Sequence, residues 1–356
     1  MSEFWQQKPL LIKDAPKDSI PSQNADSLLS VATQSYVDSR IIQFTEGDWK
    51  VYDGPFTKDD FFRVDPWTLL INAMDKHNSE VEQLKKLVNF IPTWRFDDIM
   101  ASYAVKNGST GPHFDLYDVF LVQSEGNRNW RIGQLCSGNI PMQSHSRLQL
   151  LKEFTLSEEY HTEPGDILYI PPNIAHWGIS KNTSITYSIG FRSPRLNDMI
   201  AFWVDSFLEN HSEDILYSDN GLTAAKKPGE IRSEDMIRAQ NQVLEAFQTA
   251  AISTDWFAEL ITSQQNQESY ESPATIQNWT LVLVNKTSRL AWYQREDKLV
   301  FYANGYKSTF SSELLDVITT LCGTKQINIS NLPHSIRDET NLFVKFLIDT
   351  DAAYVR

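Results

Sequence analysis

Cysteine is scarce in this chain. Cys136 and Cys322 are the two cysteines among 356 residues, and they lie far apart in the sequence. Two distant cysteines exclude a disulfide framework, which small secreted proteins use for stability in oxidising compartments. A reducing cytoplasm is therefore the expected location.

Signals for membrane insertion or export are also missing. The sequence contains no run of about 18 consecutive apolar residues, the length that a transmembrane helix needs. Residues 1–8 do not combine a basic start with an apolar stretch. We therefore expect neither a membrane span nor a secretory signal peptide.

Positive charge is in deficit. The chain has 32 Lys and Arg against 46 Asp and Glu, which gives a formal net charge of −14. Nucleic-acid binding depends on cations that neutralise phosphates, so this balance argues against direct contact with DNA or RNA. It favours a basic partner, although surplus acidic residues can also serve solubility alone.

Apolar residues are sufficient for two or three folded domains, since 41% of the chain is hydrophobic and 12% is aromatic. The sequence pattern over residues 1–195 predicts N-terminal helices, including 68–74 and 81–90. It also predicts many short strands that are separated by Gly and Pro turns. That pattern is typical of a double-sheet barrel of the jelly-roll or cupin kind. Residues 196–272 predict three helices, which either pack on the barrel or form a dimerisation surface. Residues 273–356 predict a small α+β unit.

Two segments, 111–120 and 164–177, carry candidate metal ligands. Both are predicted as strands, because β-branched and aromatic residues dominate them and turn residues bound them. Side chains at positions i and i+2 of a strand share a face, so His113 and Asp115 point the same way. With His176 they complete the 2-His-1-carboxylate set that binds Fe(II) and leaves positions open for other ligands. A chance His-x-Asp pair is the alternative, but the rigid Pro-Pro turn before His176 favours a ligand.

A metal site of this kind needs an electron-donating co-substrate, and 2-oxoglutarate is the common one. Its distal carboxylate requires a fixed cation, for which the planar fork of arginine is suited. Arg128 begins the strand after the first ligand segment, whereas Arg131 lies on the opposite face of that strand. The residues alone leave both arginines open as candidates, and either can instead be a surface residue.

The chain resembles the JmjC-type 2-oxoglutarate oxygenases, and among them the bacterial ribosomal oxygenases, the cupin-4 family of ribosomal protein arginine hydroxylases. The similarity extends over most of the region from Trp5 to Arg192, and beyond it lies in organisation more than in motifs. The matching motifs are WQQKPLLI at 5–12, VDSR at 37–40, GPHFDLYDVF at 111–120, WRIG at 130–133, PGDILYIPP at 164–172 and YSIGFR at 187–192.

The resemblance implies a JmjC barrel over residues 1–195, a helical dimerisation region over 196–272 and a winged-helix-like domain over 273–356. It implies Fe(II), 2-oxoglutarate and O₂ as cofactor and co-substrates, with Arg128 on the 2-oxoglutarate carboxylate. Thr186 and Ser188 are expected near the co-substrate, although Thr186 stands where a relative has an amide side chain.

The family's substrate is an arginine of a large-subunit ribosomal protein, hydroxylated at its β-carbon, which agrees with an acidic enzyme. The winged-helix-like region is then expected to contact protein and not nucleic acid.

Asp118, Tyr103 and Tyr117 are candidates for binding the cationic substrate, because carboxylates and aromatic faces attract guanidinium. Barrel packing is the alternative role for these three. Two other functions stay open: a related oxygenase that targets a histidine or another residue of a different protein, and a non-enzymatic cupin-like metal-binding module.

Overall fold

The computed structural model of the chain describes every residue except 1, 17–18, 22–23, 146, 211–215, 225–228, 230, 250–254, 264–279 and 331. The chain divides into two compact units, Met1–Ser193 and Pro194–Arg356. The predicted boundary at residues 272–273 lies outside the described residues.

The first unit is built mainly from β-strands, with two short α-helices and a few 3₁₀ turns. The helices are α1 (Ala25–Ala32) and α2 (Ser79–Glu82). The strands are β1 (Leu10–Ile12), β2 (Ser39–Thr45), β3 (Asp48–Asp53), β4 (Trp67–Ile71), β5 (Phe96–Ala104), β6 (Val119–Glu125), β7 (Arg128–Leu135), β8 (Glu158–Thr162), β9 (Ile167–Ile170), β10 (Ile174–Ser180) and β11 (Ser184–Phe191).

These strands form two antiparallel sheets. The larger sheet has the order β1-β9-β6-β11-β5-β4-β2-β3, and the smaller has the order β10-β7-β8. The inner faces of the two sheets pack on each other, because Leu121 and Leu168 of the larger sheet share a buried cluster with Trp130 and Ile132 of the smaller. This arrangement is the double-sheet barrel that the sequence predicts, and the fold class is confirmed.

The outer face of the larger sheet is covered by a third layer. Because side chains alternate along a strand, Ile99, Ala101 and Tyr103 of β5 point away from the barrel interior. They pack in one core with Leu28 of α1 and with Leu84 beyond α2. The inner positions of β5, which are Asp98, Met100 and Ser102, are left free to line the barrel.

Two local predictions were wrong. Residues 68–74 were expected as a helix, but Trp67–Ile71 is strand β4, and all five of its residues are buried between β2 and β5. A short apolar run has no periodicity that separates a buried strand from a helix. Residues 111–118 are irregular apart from one bridge between His113 and His176, and the regular strand β6 begins only at Val119.

The second unit contains helices and two small sheets. Its helices are α3 (Leu196–Asn210), α4 (Ser233–Thr249), α5 (Asp255–Thr262), α6 (Leu315–Thr324) and α7 (Arg337–Asp349). Its strands are β12 (Leu281–Val284), β13 (Leu290–Arg295), β14 (Lys298–Ala303), β15 (Tyr306–Ser311), β16 (Gln326–Asn328) and β17 (Ala353–Val355). They pair in the orders β16-β12-β17 and β13-β14-β15.

The predicted helices and hairpin of this second unit are present. Trp203 and Phe207 of α3 pack on Phe247 of α4, with ring centroids 4.8 and 5.0 Å apart. Within the described part of the chain, none of the helices has the length and apolar character required to cross a bilayer.

Candidate metal and co-substrate site

Three predicted metal ligands converge on the barrel interior. Ligand atoms of His113, Asp115 and His176 all lie within 4.8 Å of one another. His176 Nε2 lies 3.6 Å from Asp115 Oδ2, and the two imidazole ring centroids are 4.4 Å apart. Two imidazoles and one carboxylate at this separation fit a single divalent ion of the iron type.

Backbone pairing between the two ligand segments produces this convergence. His113 N donates to His176 O at 3.0 Å, and His176 N donates to His113 O at 2.8 Å. Asn173, which adopts a left-handed conformation with φ of 64°, donates its N–H to the carbonyl of Asp115 at 2.7 Å. A mutual hydrogen-bonded pair therefore fixes the spacing of the two histidines, although their segments are distant in sequence.

Both imidazoles are oriented by backbone carbonyls. His113 Nδ1 lies 2.9 Å from Gly111 O, and His176 Nδ1 lies 3.0 Å from Ile174 O. A carbonyl only accepts, so each Nδ1 carries the proton and each Nε2 lone pair is available to a metal. Burial and, after it, the neighbouring His113 lower the pKa of His176 to about 4, which keeps its ring neutral as a ligand requires.

Arg128 meets the requirements of a carboxylate site. Its guanidinium is buried between the sheets and donates to Ser102 Oγ at 3.2 and 3.3 Å and to Ser184 Oγ at 3.3 Å. No carboxylate of the described residues pairs with it, its Nε has no partner there, and burial lowers its pKa to about 10. The guanidinium also lies 5.5 Å from the centroid of the Trp130 ring. A buried cation without an anionic partner is costly, so an anion is needed to complete the site.

The competing arginine has a different environment. Arg131 is half-buried, pairs with Glu159 at 3.3 Å and lies over the Trp177 ring at 5.4 Å. Its charge is already compensated outside the barrel. The geometry therefore favours Arg128 over Arg131 for the 2-oxoglutarate carboxylate.

Thr186 and Ser188 lie on the inner face of β11, on the same side as Ser184. Thr186 is buried and its hydroxyl donates to Gln123 Oε1 at 2.9 Å, whereas Ser188 is half-buried. Gln123 also accepts a hydrogen bond from Thr162 and is fully buried. This amide was not singled out from the sequence. Gln123 lies on β6 two residues after the inward-facing Leu121, and alternation along a strand places both on the same face. That spacing is the signal that could have identified it.

Two of the three proposed substrate residues point away from the barrel interior. Tyr103 lies on the outer face of β5, with its ring centroid 5.5 Å from that of Trp67. Asp118 has no exposed surface, and Arg95, Gln6 and Tyr169 occupy its carboxylate. The geometry favours structural roles for both, in place of the expected contacts with substrate.

Tyr117 is the third of these residues, and it lies at the site. It is 40% exposed, and its phenol is close enough to Asp115 for that carboxylate to affect its pKa. Burial and, after it, the charge of Asp115 raise the pKa of Tyr117, so the phenol stays protonated. Its ring presents an accessible aromatic surface beside the metal ligands.

Asp98 is an acidic residue of the site that was not selected from the sequence. A Cβ placed on Gly190 would lie 3.6 Å from Asp98 Oδ1 and 3.8 Å from the Tyr117 ring, so both side chains border the same glycine. Burial raises the pKa of Asp98, and Ala73 N donates to its carboxylate at 2.9 Å. The positive charge of Lys76 also acts on this carboxylate, and it lowers the pKa by less than burial raises it.

Several known proteins are similar to this chain in sequence. A JmjC-domain family model matches residues 83–199. The ribosomal protein uL16 3-hydroxylase of Escherichia coli is 31% identical over 276 residues, which cover 77% of this chain and 73% of that protein. A probable ribosomal oxygenase of Haemophilus influenzae is 31% identical over 287 residues, covering 76% of this chain and 69% of that protein.

Solved structures are similar over the whole chain. The structure of YcfD, a ribosomal oxygenase from Escherichia coli, in complex with cobalt and 2-oxoglutarate has a TM-score of 0.78 and 26% identity. The match covers 100% of this chain and 96% of that one.

The barrel, its 2-His-1-carboxylate cluster and these similarities define the class of the protein as a JmjC-type dioxygenase that uses Fe(II), 2-oxoglutarate and O₂. Within that class, the chain belongs to the family of bacterial ribosomal oxygenases, which includes the uL16 3-hydroxylase. The predicted family, enzyme class and cofactors are thereby confirmed.

Proposed function

We propose that this oxygenase hydroxylates the β-carbon of an arginine in a large-subunit ribosomal protein. The observation that carries the proposal is a three-ligand metal cluster near an uncompensated buried arginine, in a chain 31% identical to a uL16 3-hydroxylase. In an amino acid, position 3 is the β-carbon. The net charge of −14 suits a basic ribosomal protein as substrate.

His113, Asp115 and His176 would hold the iron, and a three-ligand set of this kind would leave coordination positions for the co-substrates. Arg128 binds the distal carboxylate of 2-oxoglutarate, while Ser102 and Ser184 orient its guanidinium. Thr186 and Ser188 complete the wall of that pocket. With 2-oxoglutarate and O₂, the bound iron supplies the oxidising chemistry that hydroxylates an unactivated C–H bond.

Asp98 and Tyr117 orient the substrate side chain. The half-buried carboxylate of Asp98 accepts hydrogen bonds from a guanidinium, and the ring of Tyr117 offers a face on which that planar group stacks. Because Tyr117 lies near the metal ligand Asp115, an arginine that stacks on its ring is held close to the metal site.

A turnover assay tests the substrate. The protein is incubated with Fe(II), ascorbate and 2-oxoglutarate, with and without a uL16 peptide, and both succinate and peptide mass are measured. We expect peptide-dependent succinate and the gain of one oxygen atom on an arginine. A peptide with lysine in place of that arginine is the control and should gain none. Oxygen on a histidine of another ribosomal protein would establish the alternative oxygenase, and no succinate with any substrate would favour a metal-binding module.

The remaining parts of the proposal concern the whole chain. We propose a cytoplasmic homodimer that has its catalytic barrel in residues 1–195 and its dimerisation helices in 196–272. Exposed apolar side chains on α3 and α4, among them Ile200 and Ile237, support an interface between copies. We assign residues 273–356 to protein contacts, since the acidic balance disfavours nucleic acid.

A further inference from the structure

Asp118 joins several parts of the barrel through one buried carboxylate. Its Oδ2 accepts hydrogen bonds from Gln6 Nε2 at 2.9 Å and from Arg95 Nη2 at 3.1 Å, and its Oδ1 accepts from the Tyr169 hydroxyl at 2.7 Å. The backbone carbonyl of Asp118 accepts from Phe191 N at 3.0 Å. Three donors from separate parts of the first unit therefore hold this carboxylate.

The partners of Asp118 are themselves held in place. Gln6 N donates to the Tyr169 hydroxyl at 2.8 Å, and Arg95 Nε donates to the carbonyl of Arg192 at 2.7 Å. Trp5 stacks on Tyr169 with ring centroids 5.5 Å apart. Residues 4–12, which we call the N-terminal strap, end in β1, and β1 pairs with β9. The strap therefore covers the outer face of the sheet directly behind Asp118.

Asp118 also ends the short segment that carries the metal ligand Asp115. Leu116 and Tyr117, between the two acidic residues, are 50% and 40% exposed and do not pair in a strand. At the other end of the segment, the carbonyl of Asp115 is bound by Asn173 N. Unlike His113 and His176, Asp115 has no direct backbone pair with another ligand. The position of its carboxylate thus depends on how both ends of this segment are anchored.

We propose that Asp118 is a positioning residue that sets the place of Asp115 at the metal, with the N-terminal strap as its support. Anchoring both ends of the segment from Asp115 to Asp118 restricts the ligand to the narrow range of positions that metal coordination needs. The strap thereby contributes to metal binding, although it lies on the outside of the sheet. This inference rests on the proposed ligand role of Asp115, and the experiment below separates the two.

A matched pair of substitutions tests the proposal. Asp118→Asn keeps the shape of the side chain but removes its charge. Asp166→Asn is the control, because Asp166 is a buried carboxylate that binds Lys13, the residue directly after the strap, at 2.6 Å. Asp166 lies beside Gln123, at the far end of β6 from Asp118. Gln6→Met is a milder second variant, which removes one donor and leaves the Arg95 pair intact.

The measurements use the full chain with Co(II) in place of iron: the dissociation constant of Co(II), its visible absorption spectrum and the Tm. We expect Asp118→Asn to weaken Co(II) binding by about tenfold or more and to change the spectrum, with a smaller effect of the same kind in Gln6→Met. Asp166→Asn should lower Tm but bind Co(II) with the affinity and spectrum of the unaltered protein.

Two results would overturn the positioning role. One is Co(II) affinity and spectrum that stay unchanged in both Asp118→Asn and Gln6→Met; the other is an equal loss in Asp166→Asn, which would indicate general destabilisation. Asp115→Ala provides the reference for a missing ligand. If the unaltered protein and Asp115→Ala bind Co(II) equally, the ligand role of Asp115 is itself wrong, and the positioning role of Asp118 falls with it.

Discussion

Arg128 and Arg131 lie three positions apart on β7 and meet opposite environments. Arg128 is enclosed between the sheets with serine hydroxyls, whereas Arg131 reaches the surface and pairs with Glu159. A strand exposes its two faces to different surroundings, so residue type alone does not distinguish the two. Their partners do distinguish them. Buried Arg128 has no anion beside it among the described residues, whereas half-buried Arg131 pairs with Glu159.

Replacing each arginine by methionine should separate their roles. Arg128→Met removes the charge-assisted hydrogen bonds to 2-oxoglutarate, which contribute about 1.5–3 kcal/mol each, so the Kd for 2-oxoglutarate should rise at least about tenfold. Isothermal titration of the Co(II)-loaded protein measures this constant. Arg131→Met is the control and should leave the Kd unchanged. Equal effects of the two substitutions would refute the assignment.

Asp98 and Asp97 form a second matched pair of neighbours on opposite faces of one strand. Asp98→Asn should raise the KM for the ribosomal peptide about tenfold, because a neutral amide accepts from guanidinium more weakly, and should leave Co(II) binding unchanged. Asp97 is exposed and pairs with Arg192 at 3.0 Å. Asp97→Asn should therefore leave KM near its original value, and a rise in KM for Asp97→Asn alone would reverse the assignment.

At the scale of secondary structure, β10 and β7 form the wall that carries His176. Gly178 of β10 lies opposite Trp130 of β7, and a Cβ on Gly178 would lie 2.6 Å from the indole ring. The same indole is 6.2 Å from the His176 ring, measured between centroids. The missing side chain at Gly178 thus makes room for the tryptophan that packs beside a metal ligand.

Gly178→Ala should destabilise the barrel by about 1–3 kcal/mol, the usual cost of overpacking a well-filled core. Gly138→Ala is the control, since nothing lies within 4 Å of its added Cβ, and its effect should stay within about 0.5 kcal/mol. Chemical denaturation of both variants measures the difference. A Gly178→Ala protein as stable as the control would show that Trp130 moves aside freely.

The elements also show where sequence patterns succeed. Strands β9 and β11 are recognised because turn residues bound long apolar segments. The pattern fails at Trp67–Ile71, where burial on both faces removes the alternation that marks a strand. It also overstates regularity around His113, because a single bridge to His176 replaces the expected strand. The secondary structure of such segments depends on pairing with residues that are distant in sequence. The local spacing of residue types carries no information about that pairing.

At the scale of the whole molecule, exposed apolar residues concentrate on α3 and α4. They include Leu196, Ile200, Leu208, Met236, Ile237, Val243 and Leu244. Meanwhile Trp203, Phe207 and Phe247 already pack between the two helices. The remaining apolar surface has no cover within the described chain, which is what an interface between copies requires.

We expect the protein to be a dimer in solution, as measured by light scattering during gel filtration. The double substitution Ile200→Glu and Ile237→Glu should weaken the dimer at least about tenfold, because charges placed on an apolar interface lose their hydration. Val64→Glu, at a fully exposed apolar residue of the first unit, is the control and should not change the mass. A monomeric unaltered protein would refute the dimer outright.

The sequence by itself determined the chemistry of this protein. The ligand types at His113, Asp115 and His176 and the shortage of positive charge are properties of residue identity and spacing, so no fold is needed to recognise them. Only the tertiary structure decided which side chains face the metal. It turned Asp98 and Gln123 inward and Tyr103 and Asp118 outward, because the register of each strand and the layer that covers it set the face on which a residue lies.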